Sequence, residues 1–196
     1  MAVHASEGAR RAQILEAAKR CFARQGYYET KVDDIVHEAG LSKGALYWYF
    51  KSKEELLDAL CDGFMKELQE EFLKASAVKG LDPVHLIRNL GAGLLERVLS
   101  DPDRRLTWLE HWSTAARDTK SRTKHTAAHQ GWVDILVPLI KRNIKEGKLK
   151  PVDPKKLAWG LMALFDGISA HHAYLDFDAP ELWRSMAGML LEGIRA

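Results

Sequence analysis

The sequence has little cysteine and proline, almost no net charge and no long apolar run. Its 196 residues include two cysteines, Cys21 and Cys61, and six prolines. With no CxxC pair, the two thiols form no disulfide framework. The 29 basic and 27 acidic residues leave a net charge of +2, which excludes a polyanion-binding tail but not a local basic face. No apolar run reaches the ~18 residues that span a bilayer, and residues 1–13 lack the apolar core of a secretory signal. These absences predict a soluble, cytoplasmic protein with reduced thiols.

Catalytic and metal-binding motifs are also missing. The chain has no GxSxG, HExxH, P-loop or Rossmann glycine pattern, and Asp166 and His171 are five residues apart, a poor spacing for acid–base partners on a helix. His125 and His129 lie four apart, but no carboxylate or cysteine accompanies them at ligand spacing, so we interpret them as solvated histidines. The sequence therefore predicts no enzyme activity, no cofactor and no metal site.

Strong 3.6-residue periodicity is present throughout, whereas the alternation typical of strands is weak. Gly26, Gly40 and Gly147 end helical patterns, and Asp-Pro pairs open others. The pattern predicts an all-α chain of about nine helices, at residues 7–25, 32–39, 43–49, 53–77, 83–100, 102–119, 121–146, 154–175 and 179–194. Thr30 is expected to cap the second helix. We place a DNA-binding domain of three helices at residues 1–52 and a helical ligand-binding and dimerisation domain at 53–196.

The stretch from Val32 to Phe50 consists of two short helices joined by a tight AGLS turn. In such a unit the second helix can enter a major groove, which is wide enough for one helix. Small residues and donors open that helix, and residues 1–53 contain nine basic against six acidic residues. A helical hairpin whose aromatic residues fill a core is the alternative. However, Tyr47, Trp48 and Tyr49 cannot all be buried on so short a helix.

The segment from Ile14 to Leu57, ILEAAKRCFARQGYYETKVDDIVHEAGLSKGALYWYFKSKEELL, resembles the DNA-binding domain of the tetracycline-repressor (TetR) family of bacterial regulators. The resemblance implies a homodimer that binds a palindromic operator, usually as a repressor, and is released by a ligand. By the same resemblance, Lys53 would hold a phosphate. Two residues depart from the family's pattern: Lys31, at a cap position, and Trp48. The Trp48 ring could pack on a sugar, on a thymine methyl or only on the helix. The residues we assign to DNA binding are Thr30, Lys31, Ser42, Lys43, Gly44, Ala45, Tyr47, Trp48, Tyr49 and Lys53.

The second half of the chain is rich in tryptophan, and residues 131–176 are similar to the C-terminal helices of choline-responsive repressors. Aromatic faces attract cations, so a pocket here would suit a planar lipophilic or a cationic effector. Core or interface packing of the same rings is the alternative. The candidate effector residues are Trp108, His111, Trp112, Trp132 and Phe165.

The last two helices have apolar residues nearly all round, more than one chain of this size can cover. We therefore expect a four-helix bundle across a two-fold axis. Its candidate interface residues are Leu161, Phe165, Ile168, Trp183, Met186 and Leu190. The expected partners are double-stranded operator DNA, a small-molecule effector and a second copy of the chain. A DNA-binding regulator without a small ligand and a helical adaptor that binds no DNA remain as alternatives.

Overall fold

The computed structural model describes residues 6–78, 80 and 82–196. Residues 1–5, part of the segment in which no secretory signal is expected, lie outside the described residues. Nine helices and no strand occur in the described part, which confirms the predicted all-α fold. They are α1 (Glu7–Gln25), α2 (Val32–Ala39), α3 (Lys43–Tyr49), α4 (Lys53–Ser76), α5 (Pro83–Leu99), α6 (Pro102–Arg117), α7 (Thr119–Lys145), α8 (Pro154–His171) and α9 (Ala179–Gly193).

Helix ends follow the capping residues of the sequence. Asp82, Asp153 and Asp178 each accept backbone N–H groups of the first turn, and a proline follows each at the first or second helical position. Proline suits this position because its missing N–H would have no intrahelical partner there. Helix α8 ends at His171, four residues earlier than predicted, and turns follow it.

The chain forms two compact units. The first comprises the residues up to Phe64 together with Pro102–His125, and the second comprises Met65–Asp101 and Thr126–Ala196. In the first unit, α1 packs against α2 and α6, and α2 contacts α3. Its buried core includes Ile14, Phe22, Ile35, Leu46 and Phe50.

In the second unit, α5 packs closely against α9, which also contacts α8. The indole of Trp183 lies directly on Gly91, where an added Cβ would come within 2.2 Å of the ring. Its Nε1–H donates to the carbonyl of Arg88 over 3.0 Å. Only glycine at position 91 allows this approach of α9 to α5. Among the described helices, none has the length and apolar character required to cross a bilayer.

Candidate DNA-binding surface and effector site

The turn between α2 and α3 fixes the angle between these helices. Gly40 adopts a left-handed conformation with φ of 63°, which glycine reaches without steric cost. The N–H of Leu41 then donates back to the carbonyl of Val36 over 3.1 Å. Ser42 caps α3, because its Oγ accepts the N–H of Ala45 over 3.2 Å. The serine hydroxyl keeps its own proton for a further acceptor.

Helix α3 has one buried and one open face. Leu46 and, just after the helix, Phe50 are buried, whereas Tyr47 is 40% exposed and Trp48 63% exposed. Tyr49 is half-buried and its ring meets the Trp48 indole edge-on, with centroids 4.5 Å apart. The prediction that the three aromatic residues cannot all be buried is thus confirmed.

The beginning of α3 is open. Ser42, Lys43 and Gly44 are exposed and Ala45 is half-buried. A Cβ added to Gly44 would have no atom within 4 Å. The Lys43 ammonium lies 2.9 Å from a carboxylate oxygen of Asp33, and this hydrogen bond raises the lysine pKa. Exposed pairs of this kind contribute little free energy and can exchange partners.

Thr30 does not cap α2, contrary to the sequence prediction. Its side chain is buried, and its hydroxyl contacts the carbonyls of Gly26 (2.7 Å) and Cys21 (3.2 Å). The cap position belongs to Lys31, one residue later, whose N–H donates to the Asp34 carboxylate over 2.8 Å. This contact is the first cause of the lowered pKa of Asp34. Thr30 therefore positions the connector between α1 and α2, and its hydroxyl is not available to DNA.

The structure gives Lys53 a different role from the predicted phosphate contact. Its ammonium group donates to the carbonyls of Tyr27, Tyr28 and Thr30 and lies 4.3 Å from the centroid of the Tyr27 ring. Burial lowers its pKa. An ammonium group has three donors, so these three carbonyls use all of them. Lys53 holds the α1–α2 connector in place.

Part of the basic excess in this region is neutralised within the fold. Arg20 and Arg24 both contact Glu38, at 2.8 and 3.2 Å, and link α1 to α2. The hydrogen bond from Arg20 is the main reason that the pKa of Glu38 is lowered. Lys31 and Lys51 remain exposed beside α2 and α3. Exposed positive charge available to DNA therefore lies before α2 and after α3.

An aromatic and histidine cluster forms between α6 and α7 in the first unit. The Trp108 ring lies 6.3 Å from Trp112, 5.7 Å from His111 and 6.0 Å from His125, between centroids. The Nδ1 atoms of His111 and His125 are 3.3 Å apart. His125 is thus part of a packed cluster and is not the solvated histidine that the sequence suggested. The indole nitrogen of Trp112 is buried and has no hydrogen-bond partner among the residues that the structure describes.

Asp58 of α4 completes the charged side of this cluster. Its carboxylate pairs with Lys124 and lies 3.7 Å from Nε2 of the buried His111. Burial alone would raise the pKa of Asp58, but the hydrogen bond from Lys124 and the nearby His111 ring outweigh it and lower the pKa. The sequence does not indicate the role of Asp58, because 66 residues separate it from Lys124. No local pattern joins residues that far apart.

Trp132 and Phe165 make their ring contacts within the second unit. They belong to the second unit, where Trp132 meets Phe72 edge-on at 5.7 Å and Phe165 meets Trp183 at the same distance. Of the five predicted effector residues, Trp108, His111 and Trp112 come together within the first unit. The assignment of Trp132 and Phe165 to the same pocket stays a prediction.

His129 also differs from the sequence interpretation. It is buried, and its Nε2 lies 3.1 Å from the carboxylate of Asp166. A carboxylate partner does exist, but it comes from α8, 37 residues later. Within the residues that the structure describes, no group of three or more His, Cys, Asp or Glu side chains could hold a metal ion.

The predicted dimer residues divide into two groups. Leu161, Ile168 and Trp183 are buried within the protomer and leave little surface for a second copy to contact. Phe165 and Met186 are half-buried, and Leu190 is 42% exposed. The apolar side chains that α8 and α9 leave exposed are Trp159, Leu182, Met189 and Leu190. We call these four residues the α8–α9 face.

Comparison with known proteins agrees with this architecture. A model described as bacterial regulatory proteins of the tetR family matches residues 14–60. A second model, described as the C-terminal part of BetI-type transcriptional repressors, matches residues 85–194. The chain belongs to the TetR family. It is therefore a DNA-binding transcriptional regulator rather than an enzyme.

Individual relatives of the TetR family are similar along most of the chain. The probable transcriptional regulator ArpR of Pseudomonas putida is 32% identical over 166 residues, which cover 81% of this chain and 77% of the relative. FadR of Bacillus subtilis, solved in complex with stearoyl-CoA, superposes with a TM-score of 0.82 at 23% identity, covering 93% of this chain and 98% of that one. A regulator from Saccharomonospora viridis, solved in complex with choline, gives 0.80 at 23% identity, covering 97% and 100%. At that level of identity the two structures establish the fold alone.

Proposed function

We propose that the protein is a cytoplasmic repressor that binds a palindromic operator as a homodimer and leaves it when a small effector binds. The observation that supports this most directly is the open face of α3. Tyr47 and Trp48 are exposed beside an open helix start formed by Ser42, Lys43, Gly44 and Ala45. A helix of this kind fits the major groove, with its first residues nearest the bases.

Contacts to the DNA backbone would come from groups around the turn. The Ser42 and Tyr47 hydroxyls can donate to phosphate oxygens, and Lys31 and Lys51 add exposed positive charge. Lysine contacts to phosphate supply affinity that is independent of sequence and decreases with salt. Lys31 takes the place in this scheme that the sequence had given to Lys53.

The test is a salt series of operator binding, after selection of preferred sites from a random duplex library. Lys31→Gln is expected to weaken binding to all sequences alike and to reduce the slope of log K against log salt by about 1. Lys66→Gln, an exposed lysine of α4 in the second unit, is the control and should change neither quantity. A protein that selects no sequence and shows no salt dependence would refute DNA binding through α3.

Dimerisation is proposed to use the α8–α9 face. Met189 is 61% exposed and Leu182 38% exposed, one helical repeat of seven apart on the same side of α9. Water-exposed apolar area of this kind favours association. A stable symmetric interface needs more than about 1,000 Å² of buried surface. The small exposed residues Gly160 and Ala163 of α8 would allow close helix approach.

The effector is proposed to bind at the cluster of Trp108, His111, Trp112 and His125. The buried indole N–H of Trp112 lacks an acceptor, and a ligand oxygen would supply one. Aromatic faces would hold the apolar or cationic part of the same ligand. Helix α6, which carries three of these residues, packs against α1, so a ligand that shifts α6 acts on the helix that supports α2.

Choline and stearoyl-CoA, the ligands of the two similar structures, are suitable first probes. The expected result is that a bound probe quenches tryptophan fluorescence and lowers operator affinity over the same concentration range, because both sites bias one equilibrium. Trp112→Phe should reduce both effects. Quenching without loss of operator affinity would show a binding site that does not control DNA binding.

A further inference from the structure

Trp48 is the most exposed aromatic residue of α3. Successive residues turn by about 100° around a helix, so Trp48 lies roughly opposite the buried Leu46. Gly44 lies one turn earlier on the same side of the helix. Its surroundings are open, so the backbone can come close to another molecule at Gly44. The Trp48 indole then projects from the next turn of the same face.

The indole is exposed but oriented. Although 63% of Trp48 is accessible, its ring rests edge-on against Tyr49 at an interplanar angle of 78°. It does not cover the helix, since most of its surface contacts nothing in the fold. An aromatic pair of this kind restricts the ring before a partner arrives, which lowers the entropy lost on binding.

The chemistry of the indole points to an apolar group on the DNA. Indole has one N–H donor and no acceptor, so most of its surface can make only apolar contacts. In the major groove the C5-methyl of thymine is the apolar group among the base edges, and the other exposed groups are hydrogen-bond donors or acceptors. Lys43 and Tyr47, four residues apart on the neighbouring side of the helix, already offer donors to phosphates. A phosphate therefore has better partners than Trp48.

We propose that Trp48 determines specificity by packing on the methyl group of one thymine in each half-site. This inference rests on the proposed function, because it requires α3 to lie in the major groove. It goes further in assigning one base position to one side chain. It also gives a physical reason for a large apolar residue at the centre of a surface that binds a polyanion.

The experiment replaces single thymines by deoxyuridine, which removes the methyl and keeps base pairing. Duplexes selected by the wild-type protein are substituted at each symmetric thymine pair, and affinities are measured by fluorescence anisotropy. Removal of one buried methyl should weaken wild-type binding by about fourfold, and removal of both by about fifteenfold. Trp48→Ala should bind the thymine and deoxyuridine duplexes equally. Tyr47→Phe, the matched control, should keep the wild-type sensitivity.

Two outcomes would overturn the inference while leaving the proposed function intact. In the first, no thymine pair is sensitive to the loss of its methyl. In the second, Trp48→Ala keeps the same sensitivity or weakens all sequences alike, as contact with a sugar would. Failure to select any sequence would instead refute the proposed function itself. A thermal melt of Trp48→Ala equal to the wild type would confirm that the exposed substitution leaves the fold unchanged.

Discussion

Gly44→Ala should stabilise the protein and weaken its binding to DNA. Gly44 is the second residue of α3, its φ is not positive, and a Cβ there would meet no atom within 4 Å. Alanine is better than glycine inside a helix by about 0.5–1 kcal/mol. For a chain of this size about 1 kcal/mol raises the melting temperature by roughly 2–4 °C. The isolated variant should therefore melt about 1–4 °C higher.

The same methyl group should reduce operator affinity. If the backbone at Gly44 approaches the bases, the added Cβ lies where the DNA must be, and overpacking of a close contact costs about 1–3 kcal/mol. Two half-sites double the effect, so the loss of affinity should be about thirtyfold or more. Equilibrium titration of the selected operator by fluorescence anisotropy, beside a melting curve, measures both quantities.

Gly63→Ala is the matched control for this prediction. Gly63 lies in α4 within the same unit, is exposed, and has equally open surroundings. Its replacement should raise the melting temperature by a similar amount and leave operator affinity unchanged. If Gly44→Ala is stabilised and binds the operator as well as the wild type does, the start of α3 does not approach the DNA and the proposed docking is wrong.

Three further predictions concern other parts of the fold. Met189→Glu should convert a dimer into monomers without loss of helix content. Leu73→Glu, also at an exposed apolar position, should leave the dimer intact. Light scattering measures the oligomeric state, and a monomeric wild type at micromolar concentration would contradict the proposed interface. Because the pKa of Asp58 is lowered, its carboxylate contributes stability at neutral pH that is lost as the pH falls through the folded-state pKa. Asp58→Asn should therefore be less stable near pH 7, and its melting temperature should depend less on acid below about pH 4. A variant whose melting temperature changes with acid as the wild type's does would refute this. Lys53→Met should lower the melting temperature and the operator affinity together. It should change the slope of log K against log salt less than Lys31→Gln does, and a slope reduced by a full unit would show that Lys53 contacts a phosphate after all.

Local signals in the sequence were sufficient for the helices and for the turn between α2 and α3. Gly40 ends α2 and Ser42 caps α3 as predicted, because both effects depend on residues within one helical turn. The wrong prediction at Thr30 concerns a shift of one residue in the N-cap of α2. Thr30 and Lys31 both precede the helix, and Lys31 takes the cap position because the Thr30 hydroxyl bonds back to the end of α1.

Residues that act through distant partners could not be assigned in this way. Periodicity marks Leu161 and Trp183 as apolar, but it does not tell whether the same chain or a second copy covers them. Trp183 is covered by its own chain because Gly91, 92 residues earlier, leaves room for the indole. Likewise the donors of Lys53 are used by carbonyls of a connector more than 20 residues away, which the charge of the residue alone does not indicate.

The arrangement within the first unit also explains how one small ligand could control DNA binding. Helix α6 carries Trp108, His111 and Trp112, and it packs against α1. A second link to the connector after α1 is made by Arg117, whose guanidinium lies 5.7 Å from the Tyr28 ring centroid. Coupling requires an element whose position both ligands bias, and α6 would be that element if the effector binds at the proposed site. Since α1 packs against α6 and α2, and α2 contacts α3, a displacement of α6 would then change the support of α3 without altering the residues proposed to touch DNA.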